Sequence, residues 1–240
     1  MDAWNPWHGC KRISEGCQNC YVYDRDKTYG RDSYKIGKTK DFDLPIKKDR
    51  YRNYKIADGS RLYTCMTSDF FIDTADEWRL DVWRYIQERK GIHFTIFTKR
   101  VDRIKSCLPF DWDAGYPNVT LICSVENQKQ CEARMPIFKS ITAQHKMVAC
   151  APLLENINIE KYLDESIELV SACGENGKNA RPCDFNWVLS LRAQCQNKSV
   201  PFHFNKTGTY LIVNEKRFFV PYAKQAEQAH KANVDYLFDK

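Results

Sequence analysis

Ile92-His93-Phe94-Thr95-Ile96-Phe97-Thr98-Lys99-Arg100-Val101-Asp102-Arg103-Ile104-Lys105-Ser106-Cys107 holds one full unit of the pattern from which the fold is read. Six residues rich in β-branched and aromatic side chains read as a buried strand. The polar trio Thr98-Lys99-Arg100 interrupts it, and 101–107 reads as a short helix. The same unit recurs on both sides. Upstream, Arg61-Leu62-Tyr63-Thr64-Cys65-Met66 is a strand. Thr74-Ala75-Asp76-Glu77 has capping-box spacing before a helix with Trp78, Val82, Trp83 and Ile86 on one face and a stop at Gly91. Downstream, strands are predicted at 118–123, 146–150, 167–171 and 200–204. Helices are predicted at 128–140, after Asp184 as a cap, and at 223–232.

Strands alternating with helices at this spacing predict an α/β fold with parallel pairing and right-handed crossovers. About six units make a complete or partial (β/α) TIM-type barrel, with an open doubly wound sheet as the alternative. The 240 residues and 43% hydrophobic content suffice for a sizeable core. The expectation is a single domain, 1–240: a cysteine-rich loop at 1–24, a basic insertion at 25–60, barrel units at 61–208 and a C-terminal extension at 209–240. No stretch reaches the roughly 20 apolar residues of a membrane helix. The opening Met1-Asp2-Ala3-Trp4 shows no secretory pattern, so a cytoplasmic location is expected.

Polar residues follow the predicted strands: Thr67-Ser68-Asp69, Thr98-Lys99-Arg100, Ser124-Val125-Glu126-Asn127, Gly174-Glu175-Asn176-Gly177 and Asn205-Lys206-Thr207-Gly208. In a parallel barrel these ends share the face where active sites are built. Five of them together favour a ligand site over ordinary polar loops.

Eleven cysteines are many for a reducing compartment. Eight are scattered and read as small buried hydrophobes. Cys10, Cys17 and Cys20 form a C-x6-C-x2-C cluster, with Gly9 and Gly16 each preceding a cysteine. Three readings are open on spacing alone: a 4Fe–4S cluster held by three thiolates, a structural zinc with His8 as fourth ligand, or redox-active free thiols. The net charge is +6, and residues 25–61 carry twelve Lys or Arg against six Asp. Interleaved with Tyr29, Tyr34, Tyr51 and Tyr54, this charge suits either a solvated insertion or contact with a nucleic acid.

Trp4-Asn5-Pro6, Gly9-Cys10, Gly16-Cys17-Gln18-Asn19-Cys20-Tyr21, Ser68-Asp69-Phe70-Phe71, Phe97-Thr98-Lys99-Arg100, Ser124-Val125-Glu126-Asn127, Pro152-Leu153-Leu154 and Gly174-Glu175-Asn176-Gly177 followed by Ala180-Arg181-Pro182 stand in one order along the chain. In this the chain resembles a phage- and bacterium-associated family of radical S-adenosylmethionine (SAM)-like proteins, catalogued as a domain of unknown function. The resemblance implies a radical SAM barrel in which Cys10, Cys17 and Cys20 hold the cluster and SAM chelates the open iron. One-electron reduction, from a donor such as flavodoxin or ferredoxin, then yields methionine and a 5′-deoxyadenosyl radical. It further implies cofactor contacts. Tyr21 would lie against adenine, Glu175 would accept from the SAM ammonium, and Lys99, Arg100 or Arg181 would pair with its carboxylate. Ser124, Glu126 and Asn127 would hold the ribose. Ser68, Asp69, Thr98, Gly174 and Asn176 complete the expected cofactor-binding set. Three departures, at Ala151, at Ala172-Cys173 and at Phe204–Gly208, imply a divergent substrate pocket or lost activity. Cys150 and Cys173 are candidate hydrogen-atom donors there. The expected activity is radical chemistry on a nucleic acid or nucleotide, in repair or modification. The alternative is a non-catalytic zinc- or Fe–S-containing nucleic-acid-binding protein.

Overall fold

A computed structural model describes residues 2–238; Met1 and the last two residues of the expected C-terminal extension lie outside the described residues. In chain order the elements are β1 (Asp2–Trp4), β2 (Trp7–His8), α1 (Tyr21–Thr28), β3 (Gly37–Lys38), β4 (Arg61–Thr64), α2 (Asp76–Glu88), β5 (His93–Thr98), α3 (Val101–Cys107), β6 (Val119–Ser124), α4 (Gln128–Lys139), β7 (His145–Cys150), β8 (Leu169–Cys173), β9 (Cys183–Asp184), α5 (Phe185–Asn197), β10 (Phe202–Lys206), β11 (Tyr210–Val213), β12 (Lys216–Phe219) and α6 (Gln225–Lys231).

The principal sheet has the strand order β1-β4-β5-β6-β7-β8-β10. Pairing is parallel from β1 to β4 and β4 to β5, and again from β7 to β8 and β8 to β10. Spatial order follows chain order throughout. A doubly wound sheet reverses its order at a switch point, and no reversal occurs here, so the open doubly wound alternative is set aside. The α/β expectation holds. Its strands stand within two residues of the predicted ones: β5 occupies 93–98 rather than 92–97, and β8 occupies 169–173 rather than 167–171.

The chain divides into two compact units. One comprises 1–11, 26–122 and 140–145; the other comprises 12–25, 123–139 and 146–240. In the first, Trp4 and Trp7 are fully buried and pack on Phe94 and Phe70 at 5.6 Å between ring centroids. Both indole N–H groups are satisfied, Trp4 donating to the Asp41 carbonyl and Trp7 to that of Asp69. Trp83 continues this aromatic core with Phe70 and Trp112. Asn118, buried before β6, donates from Nδ2 toward the carbonyls of Ile86, Arg89 and Ile92. It thereby satisfies the carboxyl-terminal end of α2, whose last carbonyls lack helical partners.

In the second unit α5 starts as expected, with Asp184 accepting from the Asn186 amide at 2.8 Å. Val188, Leu191 and Cys195 form its buried face. The start of α2 differs from expectation. Thr74 does not cap it; its hydroxyl donates to Asp73 and a 3₁₀ turn, Asp73–Ala75, leads in. A hydroxyl beside a carboxylate at one residue's spacing takes the stronger, charge-assisted acceptor. Among the described residues no helix is long and apolar enough to cross a membrane.

Candidate functional site

The cysteine loop is fixed within each unit by residues that follow the sheet strands. In the first unit the loop runs Trp4 to Lys11. Asn5 Oδ1 accepts from the Thr67 amide at 2.9 Å, Gly9 N donates to the Thr67 carbonyl, and the Ser68 hydroxyl donates to the Gly9 carbonyl. Cys10 N donates to Ser33 O at 2.8 Å. Gly9 has φ +94, and a Cβ there would stand 2.9 Å from the carbonyl oxygens of both Lys35 and Ser33. Only glycine meets both requirements.

Asp69 organises the other side of Cys10. Its buried carboxylate accepts from Phe71 N, the Thr98 hydroxyl and Lys99 N at 2.8–3.0 Å, and it pairs with Arg100 at 3.2 Å. Arg100 then reaches the loop, donating to the Lys11 carbonyl at 2.8 Å and toward Cys10 Sγ at 3.8 Å. Burial works against the charge of Arg100, but Asp69 and Cys10 outweigh it and hold the guanidinium more firmly protonated than usual. A permanent cation on a cysteine sulfur favours its thiolate. His8 is directed elsewhere: its Nε2 lies 2.8 Å from the buried Asp26 carboxylate, which also accepts from the Ser33 hydroxyl at 2.5 Å.

In the second unit the loop continues from Arg12 into α1. Ser14 is extended, Glu15–Cys17 form a 3₁₀ turn, and Ser14 Oγ lies 3.8 Å from Cys17 Sγ. The turn is seated on Glu126, which has no exposed surface. Glu126 Oε1 accepts from the Ser14 hydroxyl and from Gly16 N, while Oε2 accepts from Arg134 at 2.6 Å. A Cβ on Gly16 would stand 2.9 Å from the Glu126 side chain, so the turn seats this closely only with glycine.

Glu175 plays the corresponding part after β8. Its Oε2 accepts from Asn19 Nδ2 at 3.0 Å and from the backbone and Nε of Arg181, whose Nη2 reaches the Glu15 carbonyl at 3.0 Å. Burial pushes the Glu175 carboxyl up, but hydrogen bonds from Arg181 and Asn19 prevail and hold it below the usual range. Gly174 makes this turn possible, since a Cβ there would meet the Thr207 carbonyl oxygen at 2.2 Å.

The predicted site residues thus separate by role. Ser68, Asp69, Thr98, Lys99 and Arg100 gather around Cys10. Ser124, Glu126, Gly174, Glu175 and Arg181 gather around the Cys17–Cys20 segment, with the Ser124 carbonyl accepting from Arg134 at 2.7 Å. Asn127 takes the start of α4, accepting from Gln130 N at 2.9 Å. Asn176 presents a buried Oδ1 with no hydrogen-bond partner. Tyr21, 47% exposed, opens α1 directly after Cys20. Partial burial, then the neighbouring Cys20 and Tyr222, push its phenol up to about 12, with Arg25 opposing. Cys150 is fully buried in β7, where burial pushes its thiol well above the usual range. Cys173 ends β8, its thiol pushed up to about 11 by burial. Neither meets the cysteine loop in a hydrogen bond among the described residues. The sequence reading missed Arg134 and Asn19. Arg134 sits on the buried face of α4 with Cys131, Met135 and Phe138, where the pattern calls for an apolar side chain, and Asn19 lies between two cysteines with no local partner for its amide.

Cysteine thiolates are the donors that soft metal centres take. Cys10, Cys17 and Cys20 are all partly exposed and in no disulfide, whereas six of the other eight cysteines are buried. Arg100 and Ser14 supply polar contacts at sulfur, one of the means by which proteins tune Fe–S centres. Cys10 belongs to the first unit and Cys17 and Cys20 to the second. Among the described residues no three His, Cys, Asp or Glu side chains are grouped as metal ligands. The family described as "Protein of unknown function (DUF5131)" matches residues 1–238. No curated protein and no solved structure matches the chain.

Proposed function

The chain belongs to the DUF5131 family, and from that premise we propose that it is a radical SAM enzyme. In this reading the strands and helices form a barrel of that kind, and Cys10, Cys17 and Cys20 hold a 4Fe–4S cluster. One observation carries the reading. The strand-end carboxylates of Asp69, Glu126 and Glu175 are all spent on fixing the cysteine loop or the arginines that reach it. A fold that commits three buried carboxylates to one loop is holding reactive groups in place.

When bound, the cluster and SAM supply one-electron cleavage of a carbon–sulfur bond and a 5′-deoxyadenosyl radical for hydrogen-atom abstraction. The protein's own residues do the rest. Arg100 stabilises the Cys10 thiolate. Glu126 and Glu175 set the path of the loop. Tyr21 offers a half-exposed ring for an adenine, and the unpartnered Asn176 amide oxygen offers an acceptor. Electrons come from a small donor protein such as flavodoxin or ferredoxin. A nucleic acid or nucleotide is the substrate class that the basic segment at 25–61 favours. In that segment Tyr29 and Tyr51 are exposed, with Arg31 and Arg50 over their rings.

One observation favours a second reading, a zinc-containing nucleic-acid-binding protein. Metal-ligating histidines commonly give their second nitrogen to a carboxylate, and Asp26 takes Nε2 of His8, leaving Nδ1 for a metal. Anaerobic purification followed by iron, sulfide and zinc analysis separates the two. About four irons and four sulfides per chain, with 5′-deoxyadenosine released on incubation with SAM and dithionite, is the outcome expected. One zinc per chain and no sulfide overturns the radical reading.

A further inference from the structure

We propose that the C-terminal segment from Lys206 to Lys224 is a platform for a single-stranded nucleic acid. This rests on the reading of the cysteine loop as the reactive centre of an enzyme acting on nucleic acid, and it names the substrate class. The platform is the hairpin β11–β12 with the residues that flank it. Register pairs Tyr210 with Phe219 and Ile212 with Arg217, so these four share one face. On that face the Arg217 guanidinium stands 3.8 Å over the Tyr210 ring, and the Tyr210 and Phe219 rings are 5.9 Å apart.

β12 is the edge of its three-stranded sheet, and every residue in it is exposed. Phe219 is 65% exposed and Tyr222 is 69% exposed. Lys206 lies 4.5 Å over the Tyr222 ring and donates to its hydroxyl at 3.1 Å. Within 206–224 there are four cations and one acid, Glu215; Lys224 is engaged by Glu227 at 2.8 Å, which leaves Lys206, Lys216 and Arg217 for a ligand.

Exposed aromatic rings on a strand edge call for a partner. The charge decides which. Lysine is depleted at protein–protein interfaces, whereas aromatic faces interleaved with Lys and Arg are the means by which proteins hold unpaired bases and their phosphates. Bases in a duplex have no free face to stack, so the ligand is single-stranded.

The test is fluorescence anisotropy with 5′-fluorescein dT12 and rU12, using the full chain. Binding that weakens as salt rises is expected for at least one probe. Phe219→Ala/Tyr222→Ala should weaken it at least tenfold, and Phe219→Trp/Tyr222→Trp should preserve it. Lys216→Ala/Arg217→Ala should weaken it and flatten the salt dependence by about two phosphate contacts. The same titration on Cys17→Ser/Cys20→Ser should show unchanged affinity. Iron content, measured separately, reports on the cluster, so the two readings fail in different assays. Three results overturn the platform: equal affinity in both alanine pairs, equal binding of a blunt duplex, or a dimer that Phe218→Ser/Phe219→Ser dissolves, which would make a second copy the occupant.

Discussion

Arg134 and Glu126 form an ion pair at 2.6 Å with almost no surface on either side chain. The second oxygen of Glu126 holds the turn that carries Cys17. A buried pair contributes little compared with two apolar residues, but losing one partner leaves an uncompensated charge. Arg134→Met should therefore cost about 3–5 kcal/mol, read as a lower urea midpoint at unchanged slope. Glu126→Gln/Arg134→Met removes both charges and should recover most of that loss.

Gly9→Ala and Gly16→Ala should damage the loop by different routes. At Gly9 the added methyl meets two backbone carbonyls at a positive φ, and neither can yield. At Gly16 it meets the Glu126 side chain, whose position Arg134 fixes. Each should cost about 1–3 kcal/mol. Iron bound per chain after anaerobic reconstitution should fall in both variants. Gly59→Ala serves as the control: it too has a positive φ, but nothing lies within 4 Å of the added methyl, so iron loading should be unchanged.

The Glu175 carboxyl is held below its ordinary range, with the Arg181 hydrogen bonds overcoming burial. A folded-state pKa below the unfolded one stabilises the protein fully above the unfolded value, near 4.3 for glutamate. The contribution disappears as pH falls through the folded value. Urea midpoints of Glu175→Gln against the parent should thus differ most at neutral pH and converge on acidification below about pH 4. A constant difference down to the acid limit would show that the carboxylate's charge plays no part.

Thiol labelling should divide the cysteines by burial. Burial pushes the Cys65 and Cys150 thiols well above the usual range, and that of Cys195 to about 12. Few of these are thiolates at pH 8, and little of their surface is open to a reagent. Iodoacetamide applied to metal-free native protein should modify the partly exposed Cys10, Cys17, Cys20 and Cys107 first, as mass spectrometry of the digested protein would show. Early labelling of Cys150 would place it in reach of solvent and favour its candidacy as a hydrogen-atom donor.

Much of the fold was legible where a strand and helix are near neighbours in sequence. Val101–Cys107 stands where its pattern put it. β8 was read two residues early because Ile167 extends the apolar run, yet its amide closes a turn onto Asp164. β1 was read as loop, since three residues are too few to show alternation; only pairing with β4 makes it a strand. The β11–β12 hairpin escaped because its turn, Asn214-Glu215, takes positive φ at both positions without a glycine. The site was legible as cysteine spacing and as polar strand ends. That Glu126 serves Gly16 and Glu175 serves Asn19 was not, because those bonds span 110 and 156 residues, and no local pattern encodes such a contact.

The strict agreement between strand order and chain order bears on how the molecule is made. Each strand of the principal sheet hydrogen-bonds to the sheet strand synthesised immediately before it. A nascent chain leaving the ribosome can therefore lay down the sheet progressively, with the newest strand always the growing edge. No strand has to wait for a distant later segment to be inserted beside it. On that growing side the open edge is the one about to be covered, which shortens the time that its unpaired backbone is offered to neighbouring chains.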